Sequence, residues 1–191
     1  QVEKDFKEDV VGQLAKFEKA KVSYYNGDFE WAQNKLNVLK YSTSKLIANN
    51  AMKLSLLISD NLNLDTTDNV LKAYAQAELL FEQKKYEQCL KKLSNIENNF
   101  PGHSLTDEVL FKKFEVFINL NEFDDAVNAL ETICINHYFD ILFDDALFFL
   151  GELYENVLKD PEKAKLKYEE ILLKEPDSIY STQARKRYRN L

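Results

Sequence analysis

Apolar residues recur at three- and four-residue intervals along nearly the whole chain. Leu14, Phe17, Val22 and Tyr25 form one row. Leu71, Tyr74, Ala77, Leu80 and Phe81 form a second, and Leu110, Phe111, Phe114, Phe117 and Ile118 a third. This period places side chains along one face of a helix, whereas strands need alternation, which is rare here. Polar breaks divide the pattern. Asn26-Gly27-Asp28 ends one helix, and Asp28 is placed to cap the next. Tyr41-Ser42-Thr43 precedes another helix, and Asp60 to Thr67 reads as a polar loop with Thr66 or Thr67 as a cap. Phe100-Pro101-Gly102 is a stop, followed by Ser104 or Thr106 as a cap. Asp160-Pro161 sets proline in a first turn, where its missing N–H is harmless. The pattern predicts ten helices: 3–26, 29–40, 44–59, 67–83, 86–98, 105–119, 123–136, 140–158, 161–174 and 179–190. Asn-Gly is a strong hairpin signal between strands. Here both flanks have a helical period, so Asn26-Gly27 joins two helices.

The joints align with one another. Residues 26–36 (NGDFEWAQNKL), 84–93 (KKYEQCLKKL), 121–130 (NEFDDAVNAL) and 159–168 (KDPEKAKLKY) share one arrangement. A polar turn is followed by an aromatic, except at Pro161. Then come a small residue (Ala32, Cys89, Ala126, Ala164) and, four later, an apolar one (Leu36, Leu93, Leu130, Tyr168). The small residue lets two helix backbones approach. The octets at 123–130 and 143–150 look alike, yet the first opens a second helix of a pair and the second opens a first helix.

These joints, with Leu150-Gly151-Glu152-Leu153-Tyr154 and the prolines Pro101 and Pro176, resemble the tetratricopeptide repeat family. Its unit is two antiparallel helices in about 34 residues. The resemblance implies an all-α fold, a right-handed α-α superhelix spanning 1–191 as a single solenoid. Its helix pairs would be 3–40, 67–101, 105–136 and 140–176, with an extra helix at 44–59 and a capping helix at 179–190. Ala20 and Ser23 depart from the family pattern in the first pair. Bacterial cell-envelope members of the family favour Phe-Pro-x-Ser-x-Tyr between repeats. Here Phe100-Pro101 and Pro176-Asp177-Ser178-Ile179-Tyr180 carry its pieces separately, which leads to the expectation of a periplasmic or outer-membrane-associated protein.

The resemblance also implies a concave face lined by the first helix of each pair. Position by position this gives Phe17, Lys21, Tyr24 and Tyr25; Tyr74, Glu78, Phe81 and Glu82; Glu108, Phe111, Glu115 and Asn119; and Asp145, Phe148, Glu152 and Glu155. Such a groove would be aromatic and acidic. The alternative is that the aromatics pack between repeats and the acids only solvate the surface.

Composition supports helices with short joints: 191 residues hold only 4 Gly and 3 Pro, and 45% are hydrophobic. The formal net charge of −7 disfavours a general nucleic-acid binder, which needs a basic footprint. No apolar run approaches the ~18 residues of a membrane span. Residues 105–160 hold thirteen Asp/Glu against three Lys, a net of −10. Residues 179–191 hold Arg185, Lys186, Arg187 and Arg189 and no acid, a net of +4. The acidic field favours basic or polar protein partners. Chaperone-adaptor members of the family grip acidic tails with Lys, Arg and Asn at groove positions where Glu and Asp stand here, so no binding of such tails is expected. The basic tail reads as the capping helix that a solenoid edge requires.

Candidate chemistry is sparse. Cys134-x-x-His137 has metal-site spacing, but no second cluster accompanies it and His103 stands alone. Cys89 and Cys134 read as small buried hydrophobes. Asp124-Asp125, Asp144-Asp145 and Glu169-Glu170 point about 100° apart on helices and read as solvated faces or helix-start acids. No glycine-rich phosphate loop occurs. The expectation is a non-enzymatic scaffold without cofactor or metal that binds a protein or peptide. The alternative is a structural section of a longer solenoid, to which an apolar edge at Val2, Phe6 and Val10 would belong.

Overall fold

The computed structural model describes residues 9–64 and 68–191. The start of the first predicted helix, with Val2 and Phe6, and the caps at Thr66 or Thr67 lie outside them. Among the described residues there are ten helices and no strand: α1 (Val10–Tyr25), α2 (Phe29–Leu39), α3 (Lys45–Leu64), α4 (Asn69–Glu82), α5 (Tyr86–Asn99), α6 (Thr106–Leu120), α7 (Phe123–Asn136), α8 (Phe143–Asn156), α9 (Pro161–Lys174) and α10 (Ser181–Asn190). Within each compact unit, consecutive helices pack on each other. The chain divides into two compact units between Ser104 and Leu105.

The four joints share a left-handed residue, and the first three share a bond pattern; at the fourth, Asp160 N–H reaches back to Tyr154 O instead (2.8 Å). Gly27 (φ 82°), Lys84 (59°), Asn121 (60°) and Lys159 (55°) are each left-handed, and each stands two residues before its second helix. At the first joint Gly27 N–H donates to Tyr24 O (2.9 Å) and Asp28 N–H to Ser23 O (2.9 Å). Lys84 and Lys85 repeat this on Phe81 and Leu80, and Asn121 and Glu122 on Ile118 and Phe117. This is a Schellman closure, which satisfies orphan carbonyls at a helix end and turns the chain back sharply. Its demand for a left-handed residue explains the Asn-Gly. Asp28 stands at the N-cap of α2, but its carboxylate makes no cap hydrogen bond. Asp160 does: its side chain accepts from Lys163 N–H (3.1 Å), with Pro161 in the first turn.

Beyond each joint the small residues are fully buried, and so are the apolar residues four later. Ala32, Cys89, Ala126 and Ala164 have no exposed surface, nor have Leu36, Leu93, Leu130 and Tyr168. Burying a leucine side chain contributes about 1.5–3 kcal/mol. In the first unit α1 and α4 also touch. The buried residues of α1 are Gly12, Phe17, Ala20 and Tyr24. Leu14 and Val22 face outward instead, because the backbone approach occurs at Ala20, on the other side of the helix. In the second unit Phe111 and Phe114 of α6 meet Phe149 of α8 with ring centroids 5.8 and 5.6 Å apart.

Several boundaries differ from expectation, most by one or two residues. The third helix runs to Leu64 rather than ending at 59. Its buried face, Ile47, Ala51, Ser55 and Ile58, continues to Asn61, which is polar but only 3% exposed. Asn61 Nδ2 donates to Leu57 O (2.8 Å), and its Oδ1 accepts from Ser104 Oγ (2.6 Å). Ser104 is therefore engaged with α3 and does not cap the next helix; Leu105 stands at that N-cap, with no side-chain cap bond. The eighth helix begins at Phe143, three residues later than expected, because turns at Asp140 N–H→His137 O (3.0 Å) and Phe143 N–H→Asp140 O (3.2 Å) come first. It ends at Asn156, two residues early.

Candidate functional site

In the first unit the anticipated residues meet where α1 lies beside α4. Glu78 and Glu82 are one turn apart on α4, so their carboxylates share a face. Tyr24 OH donates to Glu78 (2.7 Å) and Tyr25 OH to Glu82 (3.4 Å). Lys21 Nζ lies 2.8 Å from Glu82. Burial and the Glu78 charge hold the Tyr24 hydroxyl well above the ordinary phenol range. Tyr24 and Tyr74 are buried and belong to the core; Tyr25, Glu78 and Phe81 are half-buried, and Glu82 is exposed. Phe17 is a core residue as well.

In the second unit α6 presents Glu108, Phe111, Glu115 and Asn119. Phe111 is half-buried and packs edge-on against Phe114 (5.3 Å). Lys112 Nζ lies 2.5 Å from Glu115, and the exposed Asn119 donates its amide to the Glu115 carbonyl (2.8 Å). Glu108 is unusual. Burial first, then a hydrogen bond and charge from the buried Asp107, push its carboxyl up to about 9. Its carboxyl therefore favours the protonated form at neutral pH. An adjacent acid pair at a helix start gives no hint of this in sequence, where such acids read as solvated.

The fourth set, on α8, is covered from within the chain. Phe148 is buried, with Tyr180 stacked on it at 4.3 Å and 14°. Tyr180 OH donates to Asp145 (2.7 Å), and Ser178 Oγ donates to Asp144 (2.6 Å). Arg187 of α10 reaches both remaining acids, Glu152 at 2.5 Å and Glu155 at 2.7 Å. Tyr168 OH also donates to Glu155 (2.7 Å). Burial acts to raise the Glu155 pKa, but these two donors hold it below the usual carboxylate range. The Arg187 guanidinium lies 5.8 Å from the Phe148 ring centre and 6.0 Å from that of Tyr168, within reach of their π faces.

Asp144 and Asp145 are thus anchors for the chain before α10 rather than solvated acids. Glu170 is likewise engaged, with Lys174 (2.5 Å) and Lys167 (3.5 Å), and Glu169 accepts from Tyr188 (3.3 Å). The basic tail does form a helix packed on α9, as a cap would. The role of Arg187 and Tyr180 on α8 was not anticipated. The signals were present separately, as an acid-rich α8 and an acid-free tail, but nothing local set their register.

Cys89 is fully buried and Cys134 half-buried, both as free thiols. Burial pushes the Cys134 thiol up to about 12, which leaves it unreactive at neutral pH. His137 pairs with Asp140 (2.8 Å). Among the described residues no three His, Cys, Asp or Glu side chains converge as metal ligands, and no helix is long and apolar enough to cross a membrane.

No curated protein matches the chain. Residues 145–178, which span most of α8, all of α9 and the linker toward α10, match the tetratricopeptide repeat family model. That family is generally a non-enzymatic protein-interaction fold. With its paired helices, repeated joints and the Leu150–Tyr154 signature inside the matched stretch, the chain is similar to the tetratricopeptide repeat family over residues 145–178.

Proposed function

We propose that this protein is a non-enzymatic scaffold whose first-helix faces bind a basic or polar protein segment. The observation that carries this reading is the concentration of carboxylates on those faces, Glu78 and Glu82 in the first unit and Glu115 in the second, each beside half-buried aromatic surface. Phe81, Tyr25 and Phe111 supply apolar contact; the acids attract basic side chains and repel acidic ones. Tyr24, Tyr74 and Phe148 support the faces from beneath. The domain arrangement in this reading is one solenoid over 1–191.

The test is fluorescence anisotropy with two labelled helical peptides of equal length, one Arg/Tyr-rich and one Asp/Glu-rich. The basic peptide binds with micromolar affinity that falls as salt rises, and Glu82→Lys/Glu115→Lys removes the binding. Micromolar binding of an acidic chaperone-type tail sinks the reading. A periplasmic or outer-membrane-associated setting, which the Phe100-Pro101 and Pro176–Tyr180 pieces support, is checked by fractionating the native cells.

A second reading is a structural section that docks on other repeats or on itself. The apolar side chains Val10, Val11 and Leu14, each about half exposed on α1, favour it. Sedimentation velocity separates the two: a monomer at all concentrations removes self-association.

A further inference from the structure

We propose that the α8 face made by Asp145, Phe148, Glu152 and Glu155 receives a partner helix carrying an aromatic residue and an arginine seven positions apart, and that α10 sits there as a displaceable internal copy of that ligand. This rests on the reading of first-helix faces as binding surfaces and names the ligand class of one of them.

The occupant shows what the face recognises. Tyr180 supplies a ring stacked on Phe148 and a hydroxyl for Asp145. Arg187, two helical turns further on, supplies a guanidinium that two carboxylates grip from α8 while two aromatic rings lie beneath it. Residues seven apart fall on one face of a helix, so the spacing is a recognition pattern rather than a feature of this tail alone. A guanidinium is the cation best suited to simultaneous carboxylate and aromatic contact. The surrounding charge is complementary: residues 105–160 carry a net of −10 and residues 179–191 a net of +4.

α10 is held by less buried surface than α8. It has ten residues, too few to be stable alone. It buries only Ser181 and Ala184, whereas α8 buries eight residues that include Leu147, Leu150 and Leu153. It packs on α9, with Tyr188 partly buried there, and its hold on α8 combines the Tyr180 stack with the part-exposed Arg187 ion pairs, of which salt weakens only the ionic share. A short connection still gives the tethered helix an effective concentration near the millimolar range. A competing helix prevails when α10 loses its arginine.

The experiment uses the full chain, Arg187→Met, and a fluorescein-labelled peptide of residues 176–191. A second peptide carries Glu in place of its arginine at position 187. Hydrogen exchange of amides 181–190 is followed relative to 161–174. The expected result is at least tenfold tighter binding of the first peptide to Arg187→Met than to the unaltered chain, no binding of the second, and at least tenfold faster exchange confined to 181–190. Equal affinity in both chains, equal binding of both peptides, or unchanged exchange in a folded Arg187→Met overturns the proposal. If that variant does not fold, the unaltered chain is compared at 50 and 500 mM salt, concentrations chosen about an order of magnitude apart. Selective acceleration of 181–190 then supports a salt-labile α10, and a constant ratio overturns it. A basic peptide that fails to bind the unaltered chain, or binds equally to Glu82→Lys/Glu115→Lys, would instead strike the scaffold reading and leave these exchange results unchanged.

Discussion

Replacing Gly151 by alanine tests a close helix–helix approach in the second unit. A Cβ at Gly151 would stand 2.5 Å from Tyr168 Cε1, 2.8 Å from Cζ and 2.9 Å from Cδ1. Carbon atoms at optimal separation lie about 3.5–4.0 Å apart, so the ring or the helix must give by about 1 Å. Neither has room. Tyr168 has no exposed surface and its hydroxyl is bonded to Glu155, while Gly151 sits in the middle of α8 between the buried Leu150 and Leu153. Overpacking of this kind costs about 1–3 kcal/mol, and aromatic ring atoms at these distances belong at the upper end. Alanine returns about 1 kcal/mol through helix propensity. The net expectation is a loss of about 2 kcal/mol, read from urea unfolding followed by circular dichroism. Tyr168→Leu removes the obstructing ring edge, so in that background Gly151→Ala should be neutral or mildly stabilising. The coupling between the two sites is then about 2–3 kcal/mol, in the range seen for residues in contact. A Gly151→Ala chain as stable as the original, or the same penalty in both backgrounds, refutes the close-approach argument.

Two further outcomes follow from local features. Glu108 has a folded pKa of about 9, above its unfolded value of 4.5. Its stabilising contribution is thus fully present below pH 4.5 and is lost as pH rises toward 9. Gln keeps a donor for Asp107 but never ionises, so Glu108→Gln should gain about 2–3 kcal/mol over the original chain at pH 7, shrinking toward zero near pH 4; a gap independent of pH in thermal melts would contradict this. Lys84 and Lys159 hold left-handed backbone that L side chains enter at a cost. Lys84→Gly and Lys159→Gly should each stabilise by about 0.5–1 kcal/mol, and Asn121→Gly by clearly less, since asparagine tolerates that region; equal gains at all three positions would be the contrary result.

The sequence by itself determined what neighbours along the chain can decide. Helical period placed the described helices, several to within a residue at each end. The joints were legible because a Schellman turn makes its demand on a few consecutive residues, and Gly27 and Asn121 answer it directly. The small residues Ala32, Cys89, Ala126 and Ala164 marked where helices approach, since their spacing from the joint is fixed by the helix itself. The tertiary structure decided the rest, wherever a polar group found a partner far away in sequence. Asn61 extends α3 through a serine forty-three residues later. Glu108 favours its protonated form because it is buried beside Asp107. Tyr24 and Phe148, read as groove aromatics, became core because Phe29 and Tyr180 lie against them. Arg187 closes the α8 face because α9 and its linker return α10 to Glu152 and Glu155. Burial and charge pairing depend on distance in space, and a one-dimensional pattern fixes that distance only within a helix and its adjoining turn.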